Sequence, residues 1–398
     1  MRPNIVIQAP VFSLSGYGAH SRDIVTALFN SKKYNIAIAA SGWGGTSTTD
    51  KIPADTLDML MFMVRNEIRT KENLVFVHVG IPPEFKRVGE INIGITAGIE
   101  SDKLPPQWME SCNIMDGIIV PSVFIRDLFV RGGVKVPVYV AGEGVDNAIY
   151  HPKIENTLPL TFQTKFNFLT TGQWSGNDVD GDRKGIGKLI RLFCEEFRES
   201  QDVGLVLKVF SFNVSSPDNF FTKQRIDRIK AGKPWPKIYL VHGEFTDQEM
   251  AQLYNHPDIH AYISVTSGES WHRGVAEAAT CDMPVLVTGW SGHMDYLHKD
   301  YVTLFDYELG EVPVSAYAPG LFAPGMFWAF PKDDDVRRKM KRCVEHYGVA
   351  KERALKMGEV MREQWSKPKT DELLLEAFAK LIPTESKIQM PGVQVERM

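Results

Sequence analysis

Short apolar runs alternate with longer amphipathic segments along almost the whole chain. The runs are apolar on both faces, as strands must be when helices cover both sides of a parallel sheet. Strand, helix and strand in succession form the βαβ unit, so the alternation predicts an α/β protein with doubly wound parallel sheets. The predicted strands are Asn4–Gln8, Ile36–Ala40, Leu74–Val79, Ile91–Thr96, Gly117–Val120, Val136–Val140, Phe166–Thr171, Gly204–Val209, Ile238–Val241, His260–Val265 and Pro284–Val287. The predicted helices are Ala19–Phe29, Leu57–Ile68, Gly185–Phe197, Asp247–Tyr254, Gly274–Thr280, Asp334–Tyr347, Ala350–Gln364 and Thr370–Leu381.

The length of the chain and a break in this pattern predict two domains. The chain has 398 residues, about twice the size of a common domain. The segment Gly142–Leu160 is rich in Asn, Pro and Gly and carries no clear period, so we place the linker there. We expect a Rossmann-like domain over residues 1–145, a second over 146–365, and a helix in 366–398 that crosses back to the first domain before a loosely ordered tail. Two such domains in succession predict a ligand cleft between them.

Composition is that of a globular protein that works in solution. Hydrophobic residues make up 43% and charged residues 24% of the chain. The formal net charge of −4 argues against a general nucleic-acid coat or a strongly basic membrane binder. The N-terminus reads as a strand rather than a signal peptide, and no apolar run is long enough to span a membrane. Four scattered cysteines predict buried thiols in a reducing compartment. We therefore expect a soluble, cytoplasmic protein.

The most informative stretch runs from Ser267 to Ala279, between a predicted strand and a predicted helix. Glu269 lies in the loop after the strand, and Glu277 lies about one turn into the helix, with seven residues between them. Backbone N–H groups from Trp271 to Val275 form the start of the helix, which favours an anion such as a diphosphate. Carboxylates suit sugar and ribose hydroxyls because they accept two hydrogen bonds from vicinal groups. The alternative is a surface helix with two unrelated acids.

This stretch resembles the Glu-x7-Glu motif of retaining glycosyltransferases with the GT-B fold, a large family that includes sucrose-phosphate and mannosyl transferases. The resemblance implies two Rossmann-like domains facing each other across a cleft that binds a nucleoside-diphosphate sugar. It further implies that Glu269 contacts the donor sugar and that Glu277 holds the ribose hydroxyls. The family usually has Gly three residues after the first Glu, where this chain has His272, so the histidine is expected to narrow the phosphate pocket or contact the donor. The residues expected to bind the donor here are Trp271, His272, Arg273, Gly274 and Glu277.

A second part of the resemblance lies at residues 170–186, again between a strand and a helix. The family has Gly-Arg after the strand and Lys-Gly at the helix, and the two cations clamp the donor diphosphate. Gly172 and Lys184 match this pattern, whereas Gln173 stands in place of the arginine. Arg183 is expected to supply the missing charge. The alternative for Arg183 and Lys184 is a solvated helix start.

Further candidates lie at strand ends of the first domain. The loop Gly16-Tyr17-Gly18 permits close approach of the backbone to an anion, and it resembles the glycine loop that faces the donor phosphates in these transferases. His78 is placed where the family often has a polar contact to the donor sugar, with a core histidine as the alternative. Glu100 is a candidate for orienting the acceptor hydroxyl, with a helix-capping acid as the alternative. In the second domain, backbone groups near Gly243 are expected to recognise the base.

An acidic run and a basic run are not assigned to the donor site. The acidic run Asp178–Asp182 does not fit an EF-hand, because Gly181 comes too early and no Glu follows at the twelfth position. We expect no catalytic metal and no cofactor, the nucleotide sugar being a co-substrate. The basic residues between Lys223 and Lys237, with Trp235 nearby, hint at nucleic acid, but a solvated helix face is the favoured interpretation.

The predicted function is transfer, with retention of configuration, from a UDP- or GDP-sugar to a hydroxyl acceptor. Asn92–Glu100 and Met115–Ser122 resemble segments of transferases encoded by tailed bacteriophages, so the acceptor is a saccharide or a hydroxymethylated base of DNA. The alternative is a non-catalytic nucleotide-sugar-binding or regulatory protein, which the departures at Gln173 and His272 keep open. A dehydrogenase is disfavoured because this chain lacks the third glycine of the dinucleotide-binding fingerprint. A phosphorylase would need a pyridoxal cofactor that no motif supports. The predicted catalytic residues are Glu269, Lys184, Arg183, Glu100 and His78.

Overall fold

The computed structural model describes residues 2–43, 51–69, 72–176, 179, 181–233 and 236–382. Within these residues the N-terminal half holds one sheet of six parallel strands in the order β2-β1-β3-β4-β5-β6. The order reverses between β1 and β3, so the loops after these two strands open a crevice at the carboxyl edge of the sheet. The strands are β1 (Asn4–Ala9), β2 (Asn35–Ala40), β3 (Leu74–Val79), β4 (Ile91–Ile95), β5 (Gly117–Val120) and β6 (Val138–Val140). The helices are α1 (Gly16–Ser31), α2 (Ala54–Arg65), α3 (Pro106–Asn113) and α4 (Val123–Arg131).

The described part of the C-terminal half holds a second parallel six-stranded sheet, in the order β12-β11-β10-β7-β8-β9. This is the order of a Rossmann sheet, and it reverses between β7 and β10. The strands are β7 (Phe166–Gln173), β8 (Val203–Phe210), β9 (Lys237–Leu240), β10 (Ala261–Ser264), β11 (Val285–Thr288) and β12 (Thr303–Phe305). The helices between them are α5 (Ile186–Glu196), α6 (Ser216–Lys230), α7 (Asp247–Tyr254) and α8 (Arg273–Thr280). The loops after β7 and β10 carry both motifs of the sequence analysis, so the topology brings the two motifs together.

An antiparallel hairpin fastens the C-terminal half to the N-terminal half. It consists of β13 (Tyr307–Glu311) and β14 (Phe327–Pro331). Trp328 on β14 is buried in the same apolar cluster as Trp108 on α3. The Phe327 backbone N–H donates to the Asp102 carboxylate at 2.6 Å. Contacts of both kinds, apolar and polar, therefore join the halves on this side.

The chain crosses between the halves at two adjacent places. Val145 and Ser366 form a parallel bridge, and the Lys367 N–H donates to the Val145 carbonyl at 2.9 Å. The last described helices are α9 (Asp333–Glu345), α10 (Tyr347–Gln364) and α11 (Lys367–Leu381). Helix α11 packs against α1 and β6 of the N-terminal half, where its Phe378 is fully buried. No helix in the described residues combines the length and the apolar character needed to cross a lipid bilayer.

The predicted α/β architecture of two doubly wound halves is confirmed, and the predicted strands and helices agree with the observed bounds within three residues. The sequence pattern did not predict α3, α4, β12 or the hairpin, and it indicated α6 only as a helix face in the basic run, without bounds. Helix α3 starts at the pair Pro105–Pro106, which in a sequence marks a turn or loop, and α4 has nine residues. Strand β13 is largely exposed and has no apolar run. The predicted burial of the cysteines is confirmed, since Cys112, Cys194, Cys281 and Cys343 are all buried and free.

The β1–α1 loop offers a matched pair of glycine substitutions. A Cβ at Gly18 would lie 1.9 Å from the Ser13 carbonyl oxygen, whereas a Cβ at Gly16 meets nothing within 4 Å. We expect Gly18→Ala to lower the free energy of unfolding by about 2 kcal/mol or more, because the backbone must move. Gly16→Ala should change it by less than about 0.5 kcal/mol. Chemical denaturation measures both, and equal effects would contradict the close packing at Gly18.

Candidate active site

Glu269 lies at the centre of the candidate site, in the loop between β10 and α8. Its side chain is only 6% exposed. The Lys184 ammonium lies 2.6 Å from Oε1, and the Arg183 guanidinium lies 3.5 Å from Oε2. The Thr266 hydroxyl donates to Oε1 at 3.0 Å. The two motifs therefore meet at one buried carboxylate.

Charge compensation keeps this carboxylate ionised. Burial alone would raise the pKa of Glu269, but the charges of Lys184 and Arg183 outweigh burial and hold the pKa well below its usual range. The Lys184 loop reaches Glu269 because Gly185 adopts a left-handed conformation with φ of 67° and packs closely on the backbone of Val265, where a Cβ would lie 2.5 Å from the carbonyl oxygen. Glu269 is thus a hydrogen-bond acceptor at neutral pH.

Arg183 extends the cluster to the other half of the molecule. Its guanidinium lies 3.3 Å from the Glu100 carboxylate, which follows β4, and it also donates to the Gly268 carbonyl. Four of the five predicted catalytic residues therefore form one continuous cluster across the two halves: Glu269, Lys184, Arg183 and Glu100.

His78 lies apart from this cluster, at the end of β3. Its ring is buried, and burial lowers its pKa to about 4. Nε2 lies 3.5 Å from the Gln8 amide nitrogen, and the aromatic rings of Phe76 and Phe85 are close by. Nδ1 has no hydrogen-bond partner among the described residues. The contact of His78 with a donor stays a prediction.

His272 is the residue at which the chain turns into α8. Its φ of 73° and ψ of 70° are left-handed, a conformation that a non-glycine residue adopts at an energetic cost. Nε2 lies 3.0 Å from the Ser264 hydroxyl. Burial lowers the pKa of His272 to about 3, although the Glu269 carboxylate opposes the shift. The imidazole is therefore neutral at physiological pH and adds no positive charge beside the predicted phosphate seat.

Helix α8 packs closely on the sheet. A Cβ at Gly274 would lie 2.7 Å from both the Thr171 and Tyr262 hydroxyl oxygens. One turn further on, Glu277 accepts a hydrogen bond from the Tyr254 hydroxyl at 3.0 Å. Burial raises the pKa of Glu277 to about 7, against the opposing charge of Arg273, whose Nε lies 3.8 Å away. The two glutamates of the motif therefore have opposite electrostatic environments.

Four other predicted donor-binding residues lie in the C-terminal half: Gly172, Gln173, Gly243 and Trp271. The Trp271 ring is buried against Tyr296 and Trp365, which leaves its backbone as the part near the helix start. The Gln173 amide donates to the Ser211 carbonyl at 3.0 Å, and Gly172 has a φ of 143°. The Gly243 carbonyl accepts a hydrogen bond from Lys208 at 2.6 Å. A role for these residues in donor binding stays a prediction.

The glycine loop of the N-terminal half lies at the start of α1. Gly16 is the first residue of the helix, and Gly18 packs against Ser13. The Tyr17 ring stacks on Trp43 with centroids 4.0 Å apart, and its hydroxyl accepts a hydrogen bond from the Ala97 N–H at 3.1 Å. Tyr17 therefore ties this loop to the segment that follows β4, three residues before Glu100.

The structure also describes parts of the acidic run at 178–182 and of the basic run at 223–237. Asp178 and Asp180 lie outside the described residues, whereas Asp182 caps α5 by accepting hydrogen bonds from the Ile186 and Gly187 N–H groups at 2.7 and 3.4 Å. Burial raises the pKa of Asp182 to about 6. In the basic run, exposed Lys223 and Arg228 agree with a solvated helix face, and Trp235 lies outside the described residues.

Arg225 in the basic run is half-buried and braces the loop after β7. Its guanidinium lies over the Trp174 ring, 3.9 Å from the centroid. It donates to the carbonyls of Trp174 and Gly176, each at 2.8 Å. Sequence reasoning missed this role, since helical spacing alone does not distinguish Arg225 from its solvated neighbours.

Comparison with known proteins identifies the fold. No protein-family model matches the sequence, and no curated protein matches it significantly. Among solved structures, a sucrose-phosphate synthase from Thermosynechococcus elongatus is 12% identical with a TM-score of 0.67, over 96% of this chain and 99% of that one. HepE from Anabaena, solved with UDP and glucose, is 12% identical with a TM-score of 0.61, over 95% and 100%. A glycosyltransferase from Rickettsia africae is 12% identical with a TM-score of 0.60, over 96% and 98%. The chain has the GT-B fold.

The two glutamates of this GT-B chain should respond to pH in opposite ways. The pKa of Glu269 is lowered by folding, so its cluster stabilises the protein above the unfolded pKa and loses this effect as pH falls. The pKa of Glu277 is raised from 4.5 to about 7, so its ionisation costs stability as pH rises through this range. At pH 8, Glu269→Gln should lower the free energy of unfolding by about 3 kcal/mol. Glu277→Gln should leave it unchanged or raise it.

Urea denaturation between pH 4 and pH 8 measures both effects, and each variant controls for the other. The gain from Glu277→Gln should grow with pH, because only the wild-type protein has a buried group to ionise. Equal losses from the two substitutions at pH 8 would contradict the opposite environments.

Proposed function

We propose that this chain is a retaining glycosyltransferase that moves a sugar from a nucleoside-diphosphate donor to a hydroxyl acceptor. The observation that carries the proposal is the buried Glu269 carboxylate between Lys184 and Arg183, opposite Glu100 of the other half. Its position in the crevice where the sheet order reverses is the usual ligand position in such folds. HepE, which shares the fold, was solved with UDP and glucose.

The donor diphosphate is proposed to bind at the start of α8, next to Lys184 and Arg183. The first N–H groups of a helix and its dipole favour an anion, and α8 begins at Arg273, four residues after Glu269. The two cations contact Glu269 on one side, so a diphosphate would share them with the carboxylate. Glu277 would accept hydrogen bonds from the ribose hydroxyls, with Tyr254 holding its second oxygen.

Glu269 is proposed to hold the donor sugar rather than to protonate a leaving group. Its lowered pKa keeps it ionised, so it can accept hydrogen bonds from sugar hydroxyls and stabilise positive charge that develops on the sugar ring. In a front-face displacement, the bond from the anomeric carbon to the acceptor oxygen forms on the face where the bond to the phosphate oxygen breaks. The acceptor proton passes to the departing phosphate oxygen. No protein nucleophile is needed, and the protein contributes position and charge.

The acceptor is proposed to approach from the N-terminal half, where Glu100 can orient its hydroxyl. Glu100 is 20% exposed and is tethered by Arg183. The resemblance to transferases of tailed bacteriophages adds a hydroxymethylated DNA base to saccharides as an acceptor class. Net charge does not favour general DNA binding, so a DNA acceptor would have to be recognised locally.

Release of nucleoside diphosphate from a panel of UDP-, GDP- and ADP-sugars tests the transferase. Glu269→Gln and Lys184→Met should lower kcat/KM by about 100-fold or more, because each removes charge aimed at the reacting groups. Lys165→Met is the matched control: this lysine is 80% exposed and pairs with Asp202 at the surface. It should leave the rate unchanged. Binding of UDP or GDP without turnover from any donor, with saccharide or DNA acceptors, would instead favour the non-catalytic binding protein.

The same reactions report the acceptor and the stereochemistry. Hydroxymethylated DNA should increase release over unmodified DNA if a base is the acceptor, whereas saccharides should do so if a glycan is. Proton NMR of the product should show the anomeric configuration of the donor. Inversion of that configuration would contradict the front-face mechanism.

A further inference from the structure

Arg273 is the first residue of α8, and its side chain contacts both halves of the molecule. One guanidinium nitrogen lies 3.0 Å from the Asp23 carboxylate on α1 and 3.0 Å from the Glu143 carboxylate after β6. Another lies 3.8 Å from Glu277, one turn along its own helix. The guanidinium is therefore surrounded by three carboxylates, two from the N-terminal half and one from the proposed ribose site.

The network continues into the second chain crossing. Lys367, at the start of α11, lies 2.6 Å from the other oxygen of Asp23 and 4.0 Å from Asp371. Burial would raise the pKa of Asp23, but the charges of Arg273 and Lys367 outweigh it and lower the pKa to about 2. Asp23 therefore stays ionised, and the cross-half contact persists through the physiological pH range. Glu143 is also buried, with its side chain 9% exposed, so loss of Arg273 would leave a buried charge without its partner.

We propose that Arg273 is a positioning residue that joins the N-terminal half to Glu277 and keeps the Glu277 carboxylate ready to accept the donor ribose. This role rests on the proposed function, since it assumes that Glu277 binds the ribose. The same side chain then serves the contact between the halves and the binding of the nucleotide.

The surroundings of Glu277 explain why it needs a cation. Burial raises its pKa to about 7, the Asp247 and Glu143 charges act in the same direction, and Arg273 is the main group that opposes them. Without Arg273, more of Glu277 would be protonated at neutral pH and would lose an acceptor position. The titratable groups that face Glu277 are Arg273 on α8, Cys281 directly after α8, Asp247 and Tyr254 on α7, Tyr262 on β10, Tyr150 and Tyr296 from connecting segments, and Glu143 from the N-terminal half.

Calorimetric titration with UDP and GDP between pH 6 and pH 9 tests this role without requiring turnover. The Glu277→Gln protein supplies the baseline, because it retains the titration of the nucleotide phosphate but lacks the carboxylate. Relative to that baseline, wild-type affinity should rise as pH passes about 7. In Arg273→Gln the increase in affinity should occur about one pH unit higher. Nucleotide affinity at pH 7 should therefore fall by up to about tenfold and recover near pH 9.

Companion variants separate positioning from a merely structural role. Arg273→Lys keeps the charge and should restore the wild-type pH midpoint, with part of the affinity. Asp23→Asn weakens the contact between the halves but leaves Arg273 beside Glu277, so it should lower affinity without moving the midpoint upward. Asp371→Asn controls for a second titrating group, because burial raises the pKa of Asp371 to about 6. This variant should leave the pH midpoint of nucleotide binding unchanged.

The outcomes distinguish this inference from the proposed function. If wild-type protein binds UDP or GDP and Arg273→Gln has the wild-type pH midpoint, Arg273 does not position Glu277 and the inference is overturned alone. If Arg273→Gln does not fold, Arg273→Gln/Glu143→Gln is compared with Glu143→Gln instead, because the second substitution removes the buried charge that would lose its partner. A higher midpoint in the double variant supports the inference, and equal midpoints overturn it. Absence of nucleotide binding by the wild-type protein overturns the proposed function and this inference together.

Discussion

The ionised Glu269 carboxylate is almost closed to water, and the candidate site is organised around that charge. An unpaired carboxylate in such a place would take up a proton, because desolvation of the charged form is so unfavourable. Lys184 and Arg183 prevent this, and Arg183 shares its charge with Glu100 across the cleft. Two cations next to a carboxylate are also what a diphosphate and a sugar hydroxyl require. One arrangement of charges therefore serves the stability of the fold and the proposed binding of the donor.

Strand order decides which loops can take part in this arrangement. In the C-terminal sheet the order reverses between β7 and β10, so the Lys184 loop and the Glu269 loop face the same crevice. Two backbone features then set how closely the Lys184 and Glu269 loops approach each other. Gly185 lets the Lys184 loop pack on Val265, and the left-handed conformation of His272 directs the Glu269 loop into α8. The halves are joined by contacts around this site, through Arg183 and Glu100 on one side and Arg273 and Asp23 on the other.

Local signals in the sequence predicted the strands, because periodicity and strand ends specify a parallel α/β sheet. The two motifs assigned Lys184 and Glu269 to one donor, but the direct contact between the two side chains was not predicted. Contacts between distant segments could not be predicted in this way. Asp23 and Glu143 lie 250 and 130 residues from Arg273, and no spacing rule connects them. The hydrogen bond from the Gln173 amide to the Ser211 carbonyl is another contact that no motif indicated. Likewise, the sequence marked His272 as a departure, but only the backbone shows that it adopts a left-handed conformation and bonds to Ser264.

A crystal structure with bound UDP is the most direct test of the central claim, which is that the buried Glu269 cluster is the seat of the donor. We expect the diphosphate of UDP within hydrogen-bond distance of Lys184 and the first turn of α8. The ribose hydroxyls should donate hydrogen bonds to the Glu277 carboxylate. The Lys184–Glu269 contact, now 2.6 Å, should be shared with a phosphate oxygen. UDP bound elsewhere, with this contact unchanged and Glu277 free of the ribose, would contradict the account.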